Sequence, residues 1–286
     1  MAEAVHGLAP FVARDHEAAA VARVTLRAAA LAGGGASDAA AIADSLLLGL
    51  RGGRPLPPAP DGAGVALDLY GPDLQPLVER LAAPGAARDF SLLLTGPPGT
   101  GKTVLAAHLA ERLERPLVVK RASDLLSRWL GGTEANIAEA FANAREQGSV
   151  LLFDEVDSLL LDRADAQRSW EVTQVNELLT WMDSHPYPFI AATNFPRRLD
   201  PAALRRFVFK IELRPLCAKG AAIAYRRFFG CEAPTRLDAL RGLTPGDFAV
   251  VKRQLRYRPG AGPCEILAML ETELGAKPER SSRIGF

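Results

Sequence analysis

Residues 91–109 read SLLLTGPPGTGKTVLAAHL, and the order of features in that stretch decides the fold. An apolar run ends at Thr95, Gly96 to Thr103 satisfy G-x-x-x-x-G-K-T, and Leu105, Leu109 and Leu113 recur on one face of a helix beginning right after Lys102. Strand, glycine-rich loop and helix in that order make a phosphate cradle. Gly96, Gly99 and Gly101 let the backbone curl so that successive N–H groups point at phosphate oxygens, and the helix N-terminus adds its positive end. Pro97, Pro98 and Thr100 complete the loop, Lys102 reaches the β and γ phosphates, and the Thr103 hydroxyl can ligate Mg²⁺.

A second half-site follows at SVLLFDEVDS, residues 149–158. This apolar strand delivers Asp154 and Glu155 at its C-terminal end, where ligands sit in parallel sheets. In that setting Asp154 holds magnesium through its water shell and Glu155 orients and activates an attacking water. A further strand, FIAATN, ends at Asn194, a neutral hydrogen-bonding residue able to hold that water or sense the γ phosphate.

Working outward, FSLLLTG, PLVVKRA, SVLLFDE, FIAATN and VFKIEL are apolar runs separated by amphipathic stretches. That alternation predicts an α/β fold, a P-loop parallel sheet with helices on both faces. Beyond Leu213 the strands stop, and AAIAYRRFF, GDFAVVKRQL and CEILAMLETEL read as three helices, the last with Leu267, Leu270 and Leu274 on one face. The expected division is therefore residues 1–50 as an N-terminal helical segment, 51–64 as a Pro/Gly-rich linker, 65–213 as the nucleotide-binding α/β domain and 214–286 as a helical lid. Within it, about Asp15 to Leu50 reads as a helical hairpin, VALDLY (65–70) as a short strand, and Leu74, Leu77, Val78 and Leu81 as one face of a helix.

Composition narrows the partners. Lysine plus arginine, 34, nearly cancels aspartate plus glutamate, 33, which argues against nucleic acid or an anionic membrane as the main partner. The 48% hydrophobic content supports a substantial core. Cys217, Cys231 and Cys264 are an odd number without metal-ligand spacing and read as core thiols of a reducing compartment. The opening MAEAVHGLAPFVARDHE lacks a positive leader followed by an apolar run, and no apolar stretch approaches the roughly 20 residues of a membrane helix. A soluble, cytoplasmic protein is the expectation.

At this point the chain resembles the AAA ATPases within the larger AAA+ group. GPPGTGKT is similar to that family's Walker A, LLFDEVDS to its Walker B, and AATNFPRRLDPAALRRF to its sensor 1 strand running into the second region of homology. The resemblance covers roughly Asp89 to Phe286. It implies ATP and Mg²⁺ as cofactors, ATP hydrolysis to ADP and phosphate, and a homo-oligomeric ring, usually a hexamer. It also implies that Arg205 and Arg206 act as arginine fingers in trans on a neighbour's nucleotide.

The resemblance further gives a place to SRWLGG, residues 127–132. In protein-remodelling branches an aromatic, an aliphatic residue and a glycine line the central pore, and Trp129, Leu130 and Gly131 stand at the matching position. A tryptophan there is closer to the katanin, spastin and vacuolar-sorting ATPases. A second pore loop is implied at Asp162 to Arg168, before a helix carrying Val172, Val175, Leu179 and Met182. Trp170 and Trp181 are the candidates for indoles packed in the core.

Some residues depart from the family. VFKIEL follows Phe207 without the usual acidic and further basic residues, Gly246 and Asp247 match the Ser-Gly-Ala-Asp element near adenine only loosely, and no clear sensor 2 arginine is present. LTPGDFAVVKRQ, the tail KPERSSRIGF and the alanine-, arginine- and proline-rich composition look like bacterial AAA ATPases of undefined substrate. The function implied is a ring that remodels, unfolds or disassembles protein substrates through a pore. Two alternatives stay open: an ATP-switched module that binds partners through the N-terminal segment, and a nucleic-acid-acting loader.

Overall fold

A computed structural model of the chain describes residues 67–70, 74–129, 131–163 and 169–277. The hairpin expected at 15–50, the linker at 51–64, Leu130 and residues 164–168 of the second pore loop expected at 162–168 lie outside those residues. The described chain divides into two compact units, one holding residues 78–95 and 103–211 and the other 67–77, 96–102 and 212–277.

The first unit is built on a sheet whose five strands are β1 (Ser91–Thr95), β2 (Leu117–Arg121), β3 (Val150–Asp154), β4 (Phe189–Thr193) and β5 (Phe209–Glu212). Their spatial order is β2-β3-β4-β1-β5, and β1 to β4 pair parallel. Interior strands of such a sheet are covered on both faces and must be apolar throughout. Accordingly all five residues of β1 and of β4 are buried, and only Asp154 breaks the burial of β3. The edge strands β2 and β5 turn partly to solvent, which is why they carry Lys120, Arg121, Lys210 and Glu212.

The connecting helices are α1 (Leu74–Ala82), α2 (Lys102–Arg112), α3 (Ala122–Leu125), α4 (Gly132–Gln147), α5 (Ser169–Ser184) and α6 (Pro201–Arg206). Helix α4 buries Ile137, Phe141 and Ala144, and α5 buries Val175, Leu178, Leu179 and Met182, in one cluster with Leu151, Phe153 and Phe189 of the sheet. Phe141 is its hub, with ring centroids 5.5 Å from Phe153, 5.2 Å from Phe189 and 6.0 Å from a stacked Trp181. Truncating such a ring typically costs about 3–5 kcal/mol. Trp181 is half-buried and packs against this core, its Nε1 donating to Glu177 at 2.7 Å, whereas Trp170 is 39% exposed.

The second unit packs α7 (Ala218–Phe229), α8 (Pro245–Gln254) and α9 (Pro263–Gly275) around Tyr225, Phe248, Val251, Leu267 and Leu270. Helix α8 starts from a reciprocal cap: Thr244 N–H donates to Asp247 at 2.6 Å, with Pro245 at the first helical position.

Two expectations are corrected. The part of VALDLY that the structure describes, Leu67–Tyr70, is a 3₁₀ turn rather than a strand, because Leu69 packs into the helical core, where backbone groups must bond locally. The cysteines are free thiols but not core ones, since Cys217 and Cys264 are exposed at the starts of α7 and α9 and Cys231 is half-buried.

One buried polar side chain carries a stability signature. His185 is 7% exposed, lies edge-on to Phe141 at 5.1 Å, and its Nε2 finds no partner among the described residues. Burial, and next the Arg145 charge, lower its pKa from 6.5 to about 4. Between those values the unfolded chain takes up a proton that the folded chain refuses. The neutral side chain's contribution is thus complete above pH 6.5 and is lost as the pH falls to about 4. Urea unfolding at pH 7 and pH 4.5 should show a decline in which His185 contributes up to about 3 kcal/mol, and His185→Phe should flatten it.

Candidate functional site

Parallel register sets the site in the first unit. Thr95 of β1 pairs with Thr193 of β4, Phe153 of β3 with Ala191 of β4, and Arg121 of β2 with Asp154 of β3. The strands therefore stop along one edge, and Asp154, Glu155 and Asn194 all emerge there.

At that edge the Thr103 hydroxyl donates to Asp154 Oδ2 at 2.9 Å. A hydroxyl and a carboxylate oxygen held together are the hard oxygen donors that suit Mg²⁺ when phosphate supplies others. Glu155 follows, exposed, with φ at 59°, and its N–H donates to Asp154 Oδ1 at 3.0 Å. A non-glycine residue in this left-handed region costs on the order of 1 kcal/mol. The strain turns the chain sharply at the end of β3. Asn194 is half-buried directly beyond β4, and Thr193 anchors the turn by donating to Asp157 Oδ1 at 2.8 Å and accepting from Phe195 N–H at 2.9 Å.

The phosphate loop, Gly96 to Lys102, belongs to the second unit. Gly96 has φ of 145°, and a Cβ there would lie 2.1 Å from the Leu213 carbonyl oxygen, so no side chain fits. Thr100 is buried and donates to Pro97 O at 2.8 Å, while Pro98 and Gly99 are exposed and Pro97 and Gly101 half-buried. Lys102 is 8% exposed, its ammonium donating to Gly96 O at 2.8 Å and Pro97 O at 3.1 Å.

The arginine helix is fixed from behind. Asp200, 1% exposed, caps α6 by accepting from Ala202 N–H at 2.8 Å and Ala203 N–H at 3.4 Å, and it pairs with Arg163 Nε at 2.8 Å. Burial alone raises the Asp200 pKa, but the hydrogen bonds from the Arg163 side chain and backbone and from Ala202, with the Arg163 charge, outweigh it and hold the carboxyl below its usual range. The two predicted finger residues differ: Arg205 is exposed, whereas Arg206 is half-buried and pairs with Asp183 at 2.8 Å.

The SRWLGG stretch leaves the core. Trp129 is 82% exposed, more than Trp170. Its base is ordered: Ser127 N–H donates to Thr133 at 3.0 Å, Trp129 N–H to Ser127 at 3.2 Å, and Asn136 to Leu125 O at 2.9 Å. A Cβ at Gly132 would meet the Ser127 side chain, so any larger residue there would have to displace Ser127. Beside Trp129 opens a cavity of about 450 Å³ to which Arg128, Glu134, Trp170 and Gln174 contribute.

The sequence did not reveal Thr193, the Arg163–Asp200 pair or the role of Gly246. Gly246 N–H donates to Gly99 O at 2.9 Å, and a Cβ on it would meet Gly99 Cα at 2.8 Å, so α8 abuts the phosphate loop. The helix in GDFAVVKRQL was legible, but the cap at Thr244 and the contact of Gly246 with a loop nearly 150 residues away were not.

Part of the chain is similar to known proteins. The model of the ATPase family associated with various cellular activities (AAA) matches residues 92–215. The uncharacterized AAA family ATPase y4kL of Sinorhizobium fredii is 44% identical over 119 residues, 41% of this chain and 36% of that protein. The cell division cycle protein 48 homolog of Archaeoglobus fulgidus is 41% identical over 121 residues, 40% of this chain and 16% of its own length. Spastin of Drosophila persimilis is 35% identical over 162 residues, 54% of this chain and 21% of spastin. The chain thus spans at most 36% of the length of any of these relatives. Loop, acidic strand end and arginine helix all fall inside the matched segment, and residues 92–215 of this chain are a domain of the AAA ATPase family.

Proposed function

We propose that the chain binds Mg-ATP and hydrolyses it, and that assembled copies use the turnover to remodel, unfold or disassemble protein clients through a central pore. The observation that carries the first step is the Thr103–Asp154 hydrogen bond at the strand edge, next to Glu155. Lys102 and Thr103 are consecutive, so the loop that cradles phosphate and the hydroxyl that meets the acid are joined covalently.

In this reading Gly96 to Thr103 hold the phosphates, Thr103 and Asp154 hold Mg²⁺, and the ion when bound neutralises charge on the phosphoryl oxygens. Glu155 accepts the proton of the attacking water, and Asn194 holds that water. Arg205 and Arg206 of a neighbouring copy stabilise charge developing on the γ phosphate, which makes the ring, most simply a hexamer, part of the active site. Exposure of Trp129 supports its contact with a client chain.

A nucleic-acid-acting machine has one observation in its favour: Lys252, Arg253, Arg256 and Arg258 are exposed around Tyr257, itself 87% exposed. That reading requires affinity for single- or double-stranded DNA that falls steeply with salt in a filter-binding assay.

Glu155→Gln should lower phosphate release at least about 100-fold while a fluorescent ATP analogue still binds, and should trap an ATP-filled ring visible by size-exclusion with light scattering. A variant that still turns over ATP would remove Glu155 from the mechanism.

The two arginines should separate. Arg205→Ala should reduce ATP turnover by about 10³-fold with an unchanged thermal midpoint. Arg206→Ala should in addition lower that midpoint slightly, because its pair with Asp183 is lost.

Trp129→Ala should abolish capture of fluorescein-labelled casein in the ATP state while the thermal midpoint stays within about 2 °C, as expected for an exposed residue. Loss of folding together with capture would mark the indole as structural.

A further inference from the structure

We propose that Lys277, two residues past the end of α9, is a positioning residue for the phosphate loop: through Asp247 and the first turn of α8 it holds the Gly99 backbone in the shape that binds nucleotide. This rests on the reading that Gly96 to Thr103 hold the phosphates, and it adds a group, far along the chain, that sets how tightly they do so.

The contacts run without a break inside the second unit. The Lys277 ammonium donates to Asp247 Oδ2 at 2.5 Å and to Gly242 O at 2.9 Å, so it clasps the chain on both sides of the α8 cap. The same carboxylate oxygen accepts from Thr244 N–H at 2.6 Å and from the Thr244 hydroxyl at 3.0 Å. Thr244 and Gly246 then make the surface on which Gly99 rests. Gly246 N–H donates to Gly99 O at 2.9 Å, and a Cβ on Gly99 would lie 2.8 Å from Thr244 Oγ1. The Gly99 carbonyl and the Thr100 N–H belong to one planar peptide. Anchoring the first therefore fixes the direction of the second.

The charge on Lys277 matters because Asp247 is 8% exposed. A carboxylate so deeply covered is tolerated when hydrogen bonds and a counter-charge replace its water, and removing one partner leaves the other uncompensated. Without the ammonium, water must enter beside Asp247, and Thr244 and the first turn of α8 shift with the carboxylate. Keeping α9 in place does not require this pair. Gln254 of α8 donates to Glu273 of α9 at 2.6 Å, and Leu267 and Leu270 share one core with Phe248 and Val251. What Lys277 adds is the placement of the Asp247 charge behind the loop.

The test uses the full chain with Mg²⁺, a fluorescent ATP analogue for binding and phosphate release for turnover. Lys277→Met should raise the Kd of the analogue and the KM for ATP about tenfold, with kcat within about twofold of wild type and the thermal midpoint within about 4 °C. Lys277→Arg, which keeps charge and donors, should restore most of the affinity. Asp247→Asn should match Lys277→Met, and the double variant should add little to either. An unchanged Kd in Lys277→Met would overturn the proposal, as would a Kd rise that Lys277→Arg does not relieve, or a loss of kcat and thermal midpoint together with KM, the pattern of a general loosening. If Lys277→Met does not fold, Lys277→Gln decides by the same criteria, since its amide still donates to Gly242 O. A wild-type chain that does not bind the analogue, or binding that survives Lys102→Ala, would instead overturn the reading on which the proposal rests.

Discussion

The parallel pairing of β1, β3 and β4 is the constraint from which the first unit follows. Parallel strands must all run the same way and end at the same edge, and their dry, two-sided burial admits a polar side chain before that edge only where it is hydrogen-bonded, as Ser91 is to the Arg206 carbonyl and the Val208 N–H. Asp154 is the one residue of β3 that is not fully buried. The sheet therefore sorts chemistry by position: apolar residues within a strand, acids and amides one step beyond it. A one-residue slip of β3 against β4 would place Asp154 where Phe153 sits, between helices, at a cost of several kcal/mol for an unpaired buried charge.

How much of this was readable in the sequence depends on how far apart the partners are. The strands, the loop and the three helices of the second unit were legible because each is a local pattern of apolar period or glycine spacing. Asp154 and Glu155 were legible because the end of an apolar run is itself a coordinate. The Thr103–Asp154 bond follows from two such local signals together. What stayed hidden was long-range or backbone-mediated: the Leu213 carbonyl that excludes a side chain at Gly96, the Gly246 amide on Gly99, and the aspartate that caps α6 while binding Arg163. VALDLY was misread for a related reason. Its residue types permit a strand, but with Leu69 in the helical core the chain turns instead.

The Asp200 arrangement ties two functional segments together. Leu161 bridges to Leu199, Asp162 N–H donates to Arg198 O, and Asp200 N–H donates to Leu160 O, all beside the Arg163–Asp200 pair. The chain leaving the acidic strand end and the chain entering the arginine helix are thus one body. Displacing either would break a buried, charge-assisted contact, so the two segments move together or not at all. A pair of this kind gives rigidity more than stability, because the desolvation of Asp200 offsets much of its attraction for Arg163.

Three tryptophans in three environments have an optical consequence. Trp181 is half-buried and stacked on Phe141 against the core, Trp170 is 39% exposed, and Trp129 stands in solvent. The chain therefore carries a built-in dye at the tip of its most functionally suggestive segment, an indole more open to water and to collisional quenchers than the half-buried Trp181. Any polypeptide that covers Trp129 must shift that emission to the blue, so events at this loop can be followed without attaching a label to it.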